Sequence, residues 1–202
     1  GAGCRMNISE DYKRELKRKV FHCLSLVYLA LFHLMGRALV LWALGAWILL
    51  EGAVEMARLR RPEVNAFLMR FFGGIHRESE KERVSGVFWT SIGCWLTLWA
   101  FGDKPAVVTA AFFYLALGDG AAALVGKAVG RFKFSVWGRT KSLEGSAACF
   151  LVCLAAGLAA GLDGRQALIG AAAATAVECA PLPLDDNLWL PVLCAAMLAA
   201  VS

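Results

Sequence analysis

A single aspartate stands inside an apolar stretch of this sequence, and a run of cations follows it. Asp119 lies in the apolar run that begins at Pro105. A carboxylate in a hydrocarbon-spanning helix is costly and is usually retained for pairing, metal binding or transport. We therefore interpret this stretch as a place where a polyanion and its metal ion are held. The cations that follow Asp119 are Lys127, Arg131, Lys133, Arg139 and Lys141.

A second group of acidic residues lies further along the chain. Glu178 closes one apolar run, and Asp185, Asp186 and Asn187 open the next. Mg²⁺ prefers oxygen ligands and usually takes one or two carboxylates together with phosphate oxygens. The alternative for this group is a solvated turn in which an aspartate caps the next helix. The alternative for Asp119 is a structural role, in which its carboxylate pairs with a lysine or a hydroxyl group. The two acidic groups together favour a metal site.

The loop cations and the small residues beside them could hold phosphate groups. Lys141 and Arg139 are the strongest candidates, because they adjoin Ser142 and the Glu144, Gly145, Ser146 triplet. Contact with anionic lipid is the alternative for any one of these cations. Gly118, Ala122, Gly126 and Gly130 form a stripe of small residues, which either packs helices closely or lets a ligand approach the backbone.

The composition identifies the chain as a membrane protein. Hydrophobic residues make up 59% of the 202 residues and charged residues only 18%, whereas a soluble chain usually has about a quarter charged residues. The apolar residues fall in long blocks, and a transmembrane helix needs about 20 of them. This pattern excludes a water-soluble domain and predicts an all-α, polytopic integral membrane protein.

The blocks predict about seven transmembrane helices and one interfacial helix. Residues 58–83 connect the second and third spans, and their apolar residues recur at helical spacing, which predicts an amphipathic helix at the interface. Residues 1–5 are typical of an expression remnant, so we expect one transmembrane catalytic domain over residues 6–202. The predicted spans are residues 20–35, 38–57, 84–101, 105–125, 145–162, 167–180 and 188–201.

The basic residues predict the orientation. Cytoplasmic loops carry an excess of Lys and Arg, and with the N-terminus in the cytoplasm only Arg37, Lys104 and Arg165 of the 21 lie outside. That topology places both acidic groups near the cytoplasmic face. We therefore expect one site there.

Several other polar residues have weaker patterns. His22 at the edge of the first span is either an interfacial histidine or a substrate contact, and Arg77 and Glu80 lie before the third span. Glu51 and Glu55 share a helix face and either pair with Arg58 or face the site. The seven cysteines have no zinc or disulfide spacing, so we expect them to pack as small apolar side chains.

The ordered motifs resemble a known family. GDxxA alone also occurs in phosphatidate cytidylyltransferases, but this chain lacks their terminal histidine–glycine and paired-aspartate signature. The set as a whole resembles the polytopic lipid-alcohol kinases that use CTP: dolichol kinase, phytol kinase and the CTP-dependent diacylglycerol kinase. The motifs are RKVFH (18–22), HRESEKERVSGVFWTSIG (76–93), LGDGAAALVGKAVGR (117–131), KSLEGS (141–146) and VECAPLPLDDNLWLP (177–191).

The resemblance implies a reaction and a set of residue roles. The γ-phosphate of CTP would pass, with Mg²⁺, to the hydroxyl of a polyprenol, a phytol-like alcohol or diacylglycerol. The implied partners are CTP, the lipid alcohol and the bilayer, with no nucleic acid. A cytidylyltransferase-like enzyme and a small membrane transporter are the alternatives. Asp119, Asp185 and Asp186 would bind Mg²⁺ or deprotonate the alcohol, Asn187 and Glu178 would complete the metal site, and His22, Arg77 and Glu80 would contact substrate or support the site. The nucleotide-binding residues would be Gly118, Gly126, Arg139, Lys141, Ser142, Glu144, Gly145 and Ser146.

Overall fold

The described residues fold into helices, and a small β-hairpin lies between two of them. The structure is a computed structural model that describes residues 12–13, 15–20, 22–72 and 83–202, with backbone alone for residues 69, 71 and 72. The predicted all-α class is confirmed for these residues. The helices are α1 (Ser25–Met35), α2 (Arg37–Arg60), α3 (Pro62–Phe72), α4 (Gly86–Phe101), α5 (Pro105–Phe113), α6 (Asp119–Val129), α7 (Leu143–Ala159), α8 (Gly164–Cys179) and α9 (Asp186–Val201).

Three helical stretches in the described part of the chain are long and apolar enough to cross a membrane. They are Glu15–Met35, Arg37–Arg60 and Pro105–Val129. The helices α4, α7 and α9 are apolar but shorter. A helix of 16 residues rises about 24 Å, which is less than the roughly 30 Å hydrocarbon core of a typical bilayer. The predicted number of about seven spans therefore stays a prediction.

The outer surface of the helices is strongly apolar. Leu34 at the end of α1 is 82% exposed, and Trp42 and Leu49 on α2 are 81% and 77% exposed. Large exposed apolar surfaces on a helical protein indicate contact with lipid or with other protein. The predicted amphipathic helix is present as α3, which packs against α2.

Small residues allow the helices α6 to α9 to pack closely. The helix α7 packs on α6 and α8, and α9 packs on α4 and α8. A Cβ atom added at Gly157 or Gly170 would lie 2.6 Å from the Tyr114 hydroxyl oxygen, so only glycine leaves room for that ring. The six cysteines in the described part of the chain are free, and four of them are buried, as expected for small apolar side chains.

A single π-helical turn joins α5 to α6. It covers Tyr114–Gly118, and the Asp119 N–H donates to the Tyr114 carbonyl oxygen five residues earlier. A π turn adds one residue to a helix and changes which side chains face a given neighbour, and such turns are frequent at functional sites. Gly118 consequently faces Cys149 and Cys153 of α7.

A β-hairpin occupies part of the basic loop between the fourth and fifth predicted spans. Strands β1 (Lys133–Val136) and β2 (Arg139–Ser142) pair antiparallel. Trp137 and Gly138 form the two-residue turn with φ angles of 45° and 82°. Two positive φ angles at these positions are typical of the type I′ turn, which matches the twist of paired strands. The sequence analysis did not predict strands within the loop, because the turn contains one glycine beside a tryptophan instead of the usual Asn-Gly.

Candidate active site

A cavity of about 560 Å³ opens where the ends of several helices meet the hairpin. Its volume lies within the roughly 300–1,000 Å³ range of small-molecule sites. The segment before α1, the length of α6, the hairpin, the start of α7, the end of α8 and the start of α9 all contribute to it. Its charged lining residues are Glu15, Arg18, Lys19, Asp119, Lys127, Lys133, Lys141, Glu178 and Asp186.

Asp119 lines this cavity and pairs with a lysine from the other end of the chain. Its carboxylate accepts a hydrogen bond from Lys19 Nζ, and the Asp119 side chain is 16% exposed. Positions three, four and seven residues after Asp119 are Ala122, Ala123 and Gly126, and they line the same wall. These positions share one face of a helix. Because they are small, the helix leaves open volume beside the carboxylate.

Two glycines bring α6 and α7 together at the cavity. A Cβ atom at Gly145 would lie 2.7 Å from the Ala122 carbonyl oxygen, and one at Gly126 would lie 3.2 Å from Ser142 Oγ. Ser142 caps the start of α7, and its Oγ accepts a hydrogen bond from the Gly145 N–H at 3.1 Å. The predicted residues Gly126, Ser142, Gly145 and Ser146 line the cavity. The glycines both allow α6 and α7 to pack closely and leave backbone open to the cavity.

The hairpin directs two cations at the acidic ends of α8 and α9. Arg139 and Lys141 are two residues apart on β2, so their side chains share a face. The Arg139 guanidinium donates to both carboxylate oxygens of Asp186 at 2.8 Å and 2.6 Å. Lys141 donates to the Glu178 carbonyl oxygen at 2.8 Å and to its carboxylate. The hydrogen bond to Asp186 also raises the pKa of Arg139 above its ordinary value.

Three predicted residues near the cavity serve the local fold. Glu144 accepts hydrogen bonds from the Arg131 and Phe132 N–H groups, at 2.9 Å and 3.2 Å. Asp185 caps α9 and accepts from the Asn187 N–H at 2.9 Å. Asn187 itself is buried. None of Glu144, Asp185 and Asn187 is among the described residues that line the cavity, so Asp186 alone of its triplet does so.

The remaining predicted residues lie elsewhere. Gly118 contacts α7 and is not part of the described lining. His22 is buried, its carbonyl oxygen accepts from Ser25 Oγ at 2.6 Å, and it interacts electrostatically with Asp119. Arg77 and Glu80 lie outside the described residues.

The cavity also contains three charged residues that the sequence analysis did not assign to a site. They are Glu15, Arg18 and Lys19 from the segment before α1, whereas Lys127 and Lys133 are two of the loop cations that were predicted as possible phosphate ligands. The sequence signal was present, because Arg18 and Lys19 open the RKVFH motif and Glu15 lies one helical turn earlier. The positive-inside pattern already accounts for Arg18 and Lys19, and Glu15 lies outside the motif.

The donor chemistry of the cavity suits Mg²⁺ that arrives with phosphate. No group of three or more His, Cys, Asp or Glu side chains in the described part of the chain is close enough to hold a metal ion. Each lining carboxylate instead has a cation partner, as Asp119 has Lys19 and Asp186 has Arg139. Mg²⁺ typically needs only one or two carboxylates when phosphate oxygens supply the rest. Asp119 and Asp186 are the residues that fit this requirement.

Two of the curated proteins to which this chain is similar are named as lipid kinases. The chain is 32% identical over 207 aligned positions to "Dolichol kinase EVAN" of Arabidopsis thaliana, covering 92% of this chain and 36% of that protein. It is 31% identical over 97 positions to "CTP-dependent diacylglycerol kinase 1" of Schizosaccharomyces pombe, covering 48% and 43% of the two chains. An uncharacterized protein of Rickettsia prowazekii is 27% identical over 149 positions, which cover 72% of this chain and 70% of that protein.

The family assignment made from the motifs agrees with these similarities. They support the CTP-dependent lipid kinases as the family of this chain. The chain spans less than half the length of the two named kinases that it matches. No family model matches the chain, and no solved structure matches it.

Proposed function

We propose that this protein transfers the γ-phosphate of CTP to the hydroxyl of a membrane lipid alcohol in the charged cavity. The observation that carries the proposal is the meeting of Asp119, Lys141, Glu178 and Asp186, which come from distant motifs, around one cavity among apolar helices. Relatives named as lipid kinases supply the reaction class. A nucleoside triphosphate and a lipid alcohol are the substrates that such a site can bring together.

The charge of the cavity is complementary to a metal-bound triphosphate. Its described lining has five cations, which are Arg18, Lys19, Lys127, Lys133 and Lys141, against four carboxylates. Arg139, which holds Asp186, adds a sixth cation. The starts of α7 and α9 also point to this region, and helix N-termini attract anions. The net positive charge favours a ligand that keeps negative charge after it has bound Mg²⁺.

Phosphoryl transfer requires positioning and charge neutralisation more than covalent participation of the protein. The oxygen of the lipid hydroxyl attacks the γ-phosphorus, the bond to the β–γ bridging oxygen breaks, and CDP leaves. The hydroxyl proton passes to a carboxylate, for which Asp119 is our candidate. Mg²⁺ held by Asp119 or Asp186 would neutralise phosphate charge, and Lys19, Lys127 and Lys141 would hold the phosphate oxygens.

The proposal includes a membrane topology. We propose about seven spans, with the N-terminus and the cavity at the cytoplasmic face. The shorter helices α4, α7, α8 and α9 would cross by matching a locally thinner bilayer. In this arrangement the lipid alcohol reaches the cavity from the inner leaflet, and its tail remains in hydrocarbon. Polyprenol, phytol-like alcohol and diacylglycerol are all candidate acceptors.

The test follows each phosphate of CTP. The purified protein is incubated in mixed micelles with Mg²⁺, a candidate alcohol and CTP labelled at either the α or the γ phosphate. We expect label from the γ position to appear in the extracted lipid and label from the α position to remain in CDP. Replacing CTP by ATP, GTP or UTP in the same assay measures the choice of nucleotide.

Two outcomes would contradict the proposal. Transfer of the α label into lipid would indicate a cytidylyltransferase-like reaction, which releases pyrophosphate. Transfer of neither label with any of the three classes of alcohol would leave the transporter alternative, in which Asp119 and Glu178 bind an ion within the membrane. A parallel assay without Mg²⁺ tests the metal requirement, and we expect it to show no transfer.

A further inference from the structure

Glu15 lies at the centre of the charged wall of the cavity. Its Oε2 is 2.9 Å from Lys127 Nζ, and its Oε1 is 2.8 Å from an Arg18 guanidinium nitrogen. Lys19 Nζ is 4.0 Å from Glu15 Oε1 and also pairs with Asp119. The Glu15 side chain is only 6% exposed. One buried carboxylate therefore contacts three cations of the site.

The contacts of Glu15 join two segments that are distant in the sequence. Glu15 and Lys19 are one turn apart in the helical segment 15–20, and Asp119 and Lys127 are two turns apart on α6. Glu15 meets Lys127 while Lys19 meets Asp119, so the two helices run in opposite directions here. The charges then alternate along the wall in the order Lys127, Glu15, Lys19, Asp119.

This alternation keeps cations apart that would otherwise repel each other. Without the Glu15 carboxylate, Lys19 would face Lys127 and Arg18 with no anion between them, and like charges at short range in a partly buried site destabilise each other. Lys127, which is 35% exposed, would also lose the carboxylate oxygen that lies 2.9 Å from its Nζ. Glu15 therefore contributes to holding Lys127 at the cavity.

We propose that Glu15 is a positioning residue for phosphoryl transfer. It holds Lys127 and Lys19 on the wall, so that a triphosphate meets both cations while Asp119 faces the acceptor. Glu15 itself binds no phosphate, because two anions would repel. This inference rests on the proposed function and adds a residue that acts through Lys127.

A positioning role of Glu15 and a purely electrostatic role predict different effects of the same substitution. If Glu15 only lowered the positive charge of the cavity, Glu15→Gln would bind nucleotide more tightly and transfer phosphate at least as fast. If Glu15 positions Lys127, the same change lowers kcat and also weakens equilibrium binding of the nucleotide, because Lys127 no longer meets the phosphate oxygens. The two quantities therefore need separate measurements, transfer from γ-labelled CTP and equilibrium binding of a fluorescent CTP analogue to the detergent-solubilised protein.

The experiment is a double-mutant cycle of Glu15→Gln and Lys127→Gln, with Glu15→Asp as the conservative variant. Coupled residues in contact show interaction energies that correspond to several-fold or larger changes, so we expect Glu15→Gln alone to lower kcat by about tenfold. In the Lys127→Gln background, Glu15→Gln should change kcat by less than about twofold. Glu15→Asp, whose carboxylate is one methylene shorter, should keep nucleotide affinity and recover part of kcat. Asp103→Asn, at an exposed carboxylate between α4 and α5, is the matched control.

The outcomes distinguish this inference from the proposed function. If Glu15→Gln lowers kcat equally in both backgrounds, Glu15 does not act through Lys127. If Glu15→Gln does not fold, the comparison of Glu15→Asp with and without Lys127→Gln decides the same question. If the wild-type protein transfers no γ-phosphate, the proposed function fails first, and the cause is then not Glu15.

Discussion

The Glu55–Arg58 pair at the end of α2 and the Lys19–Asp119 pair on α6 both place opposite charges among apolar helices, but their surroundings differ. Arg58 is 2% exposed and donates to Glu55 Oε2 at 2.6 Å, to Asn65 Oδ1 at 3.2 Å and to the Arg83 carbonyl oxygen at 2.7 Å. Glu55 also accepts from the Ser85 N–H at 3.1 Å. These five residues, which we call the α2 cluster, bind one another and line no part of the cavity described here.

The ion pairs at the cavity join residues that are distant in the sequence and are open to the cavity on one side. Lys19 and Asp119 are 100 positions apart in the sequence, and Arg139 and Asp186 are 47 apart. Each of these pairs has one side on the open cavity. Burial of an ion pair costs desolvation, and the cost is offset only when hydrogen bonds complete the shell. In the α2 cluster several hydrogen bonds from within the protein contribute to that shell, whereas the cavity pairs leave room for a ligand to contribute to it.

If the cavity pairs serve catalysis and the α2 cluster serves the fold, the largest loss of activity is expected from substitution of Asp119. Asp119→Asn keeps the shape of the side chain but removes the negative charge that would bind Mg²⁺ or accept the hydroxyl proton. We expect transfer from γ-labelled CTP to fall by at least about 100-fold, as is typical for loss of an acid–base group. Size-exclusion chromatography in detergent checks that the variant is folded.

The matched control for Asp119 is Asp163→Asn. Asp163 caps α8 by accepting from the Gln166 N–H at 2.8 Å, and asparagine caps helices equally well. We expect its activity to be unchanged. Wild-type activity in Asp119→Asn would remove Asp119 from the mechanism. Its ion pair with Lys19 would then have only a structural role, like the pairs of the α2 cluster.

A smaller effect is expected for Lys141, which we propose as a phosphate ligand. Lys141→Met should raise the KM for CTP by about tenfold, the value of one charge-assisted hydrogen bond, with a smaller change in kcat. Lys104→Met is the matched control, because Lys104 also donates to the carbonyl oxygen of a helix end, that of Ala199 at 3.0 Å, and is outside the cavity lining. An equal rise in KM for both variants would show that Lys141 acts only by joining elements of the fold.

The α2 cluster should respond in stability and not in activity. Arg58→Met leaves the Glu55 carboxylate buried without its cation, and loss of one partner of a buried pair costs about 3–5 kcal/mol. Unfolding followed by denaturant in detergent should show this loss, and Glu55→Gln in the same chain should recover part of it. The kcat per folded molecule should change by less than about twofold. A large fall in kcat of the folded variant would place the α2 cluster in the site.

The contents of the cavity were predictable where residue type and topology agree. The order of the spans and the excess of inner cations placed Asp119, Glu178 and Asp186 at one face, and all three line the cavity. The same reasoning could not separate Asp185 from Asp186, because the start of α9 decides which of two adjacent carboxylates caps the helix. It also missed Lys19, whose partner is 100 positions away and therefore has no signal in local periodicity.

The helices themselves were predicted more completely than their local departures. Long apolar blocks identify helices because burial of apolar surface dominates their energetics. The π turn before Asp119 is one residue of difference in a continuous apolar run, so composition contains no trace of it. The strands of the hairpin are four residues each, which is too short for alternation to outweigh its three cations, Lys133, Arg139 and Lys141.

The smallest expected effect comes from the hairpin turn, which positions Arg139 and Lys141 without touching the cavity. Gly138 has a φ of 82°, and an L-residue in the left-handed region costs about 1–2 kcal/mol, so Gly138→Ala should loosen the hairpin. Trp137 has a φ of 45°, a conformation that asparagine adopts more readily, so Trp137→Asn should tighten it. We expect the KM for CTP to rise about threefold in the first variant and to be unchanged or slightly lower in the second. Changes of equal sign in both variants would mean that the conformation of the turn does not affect the position of Lys141.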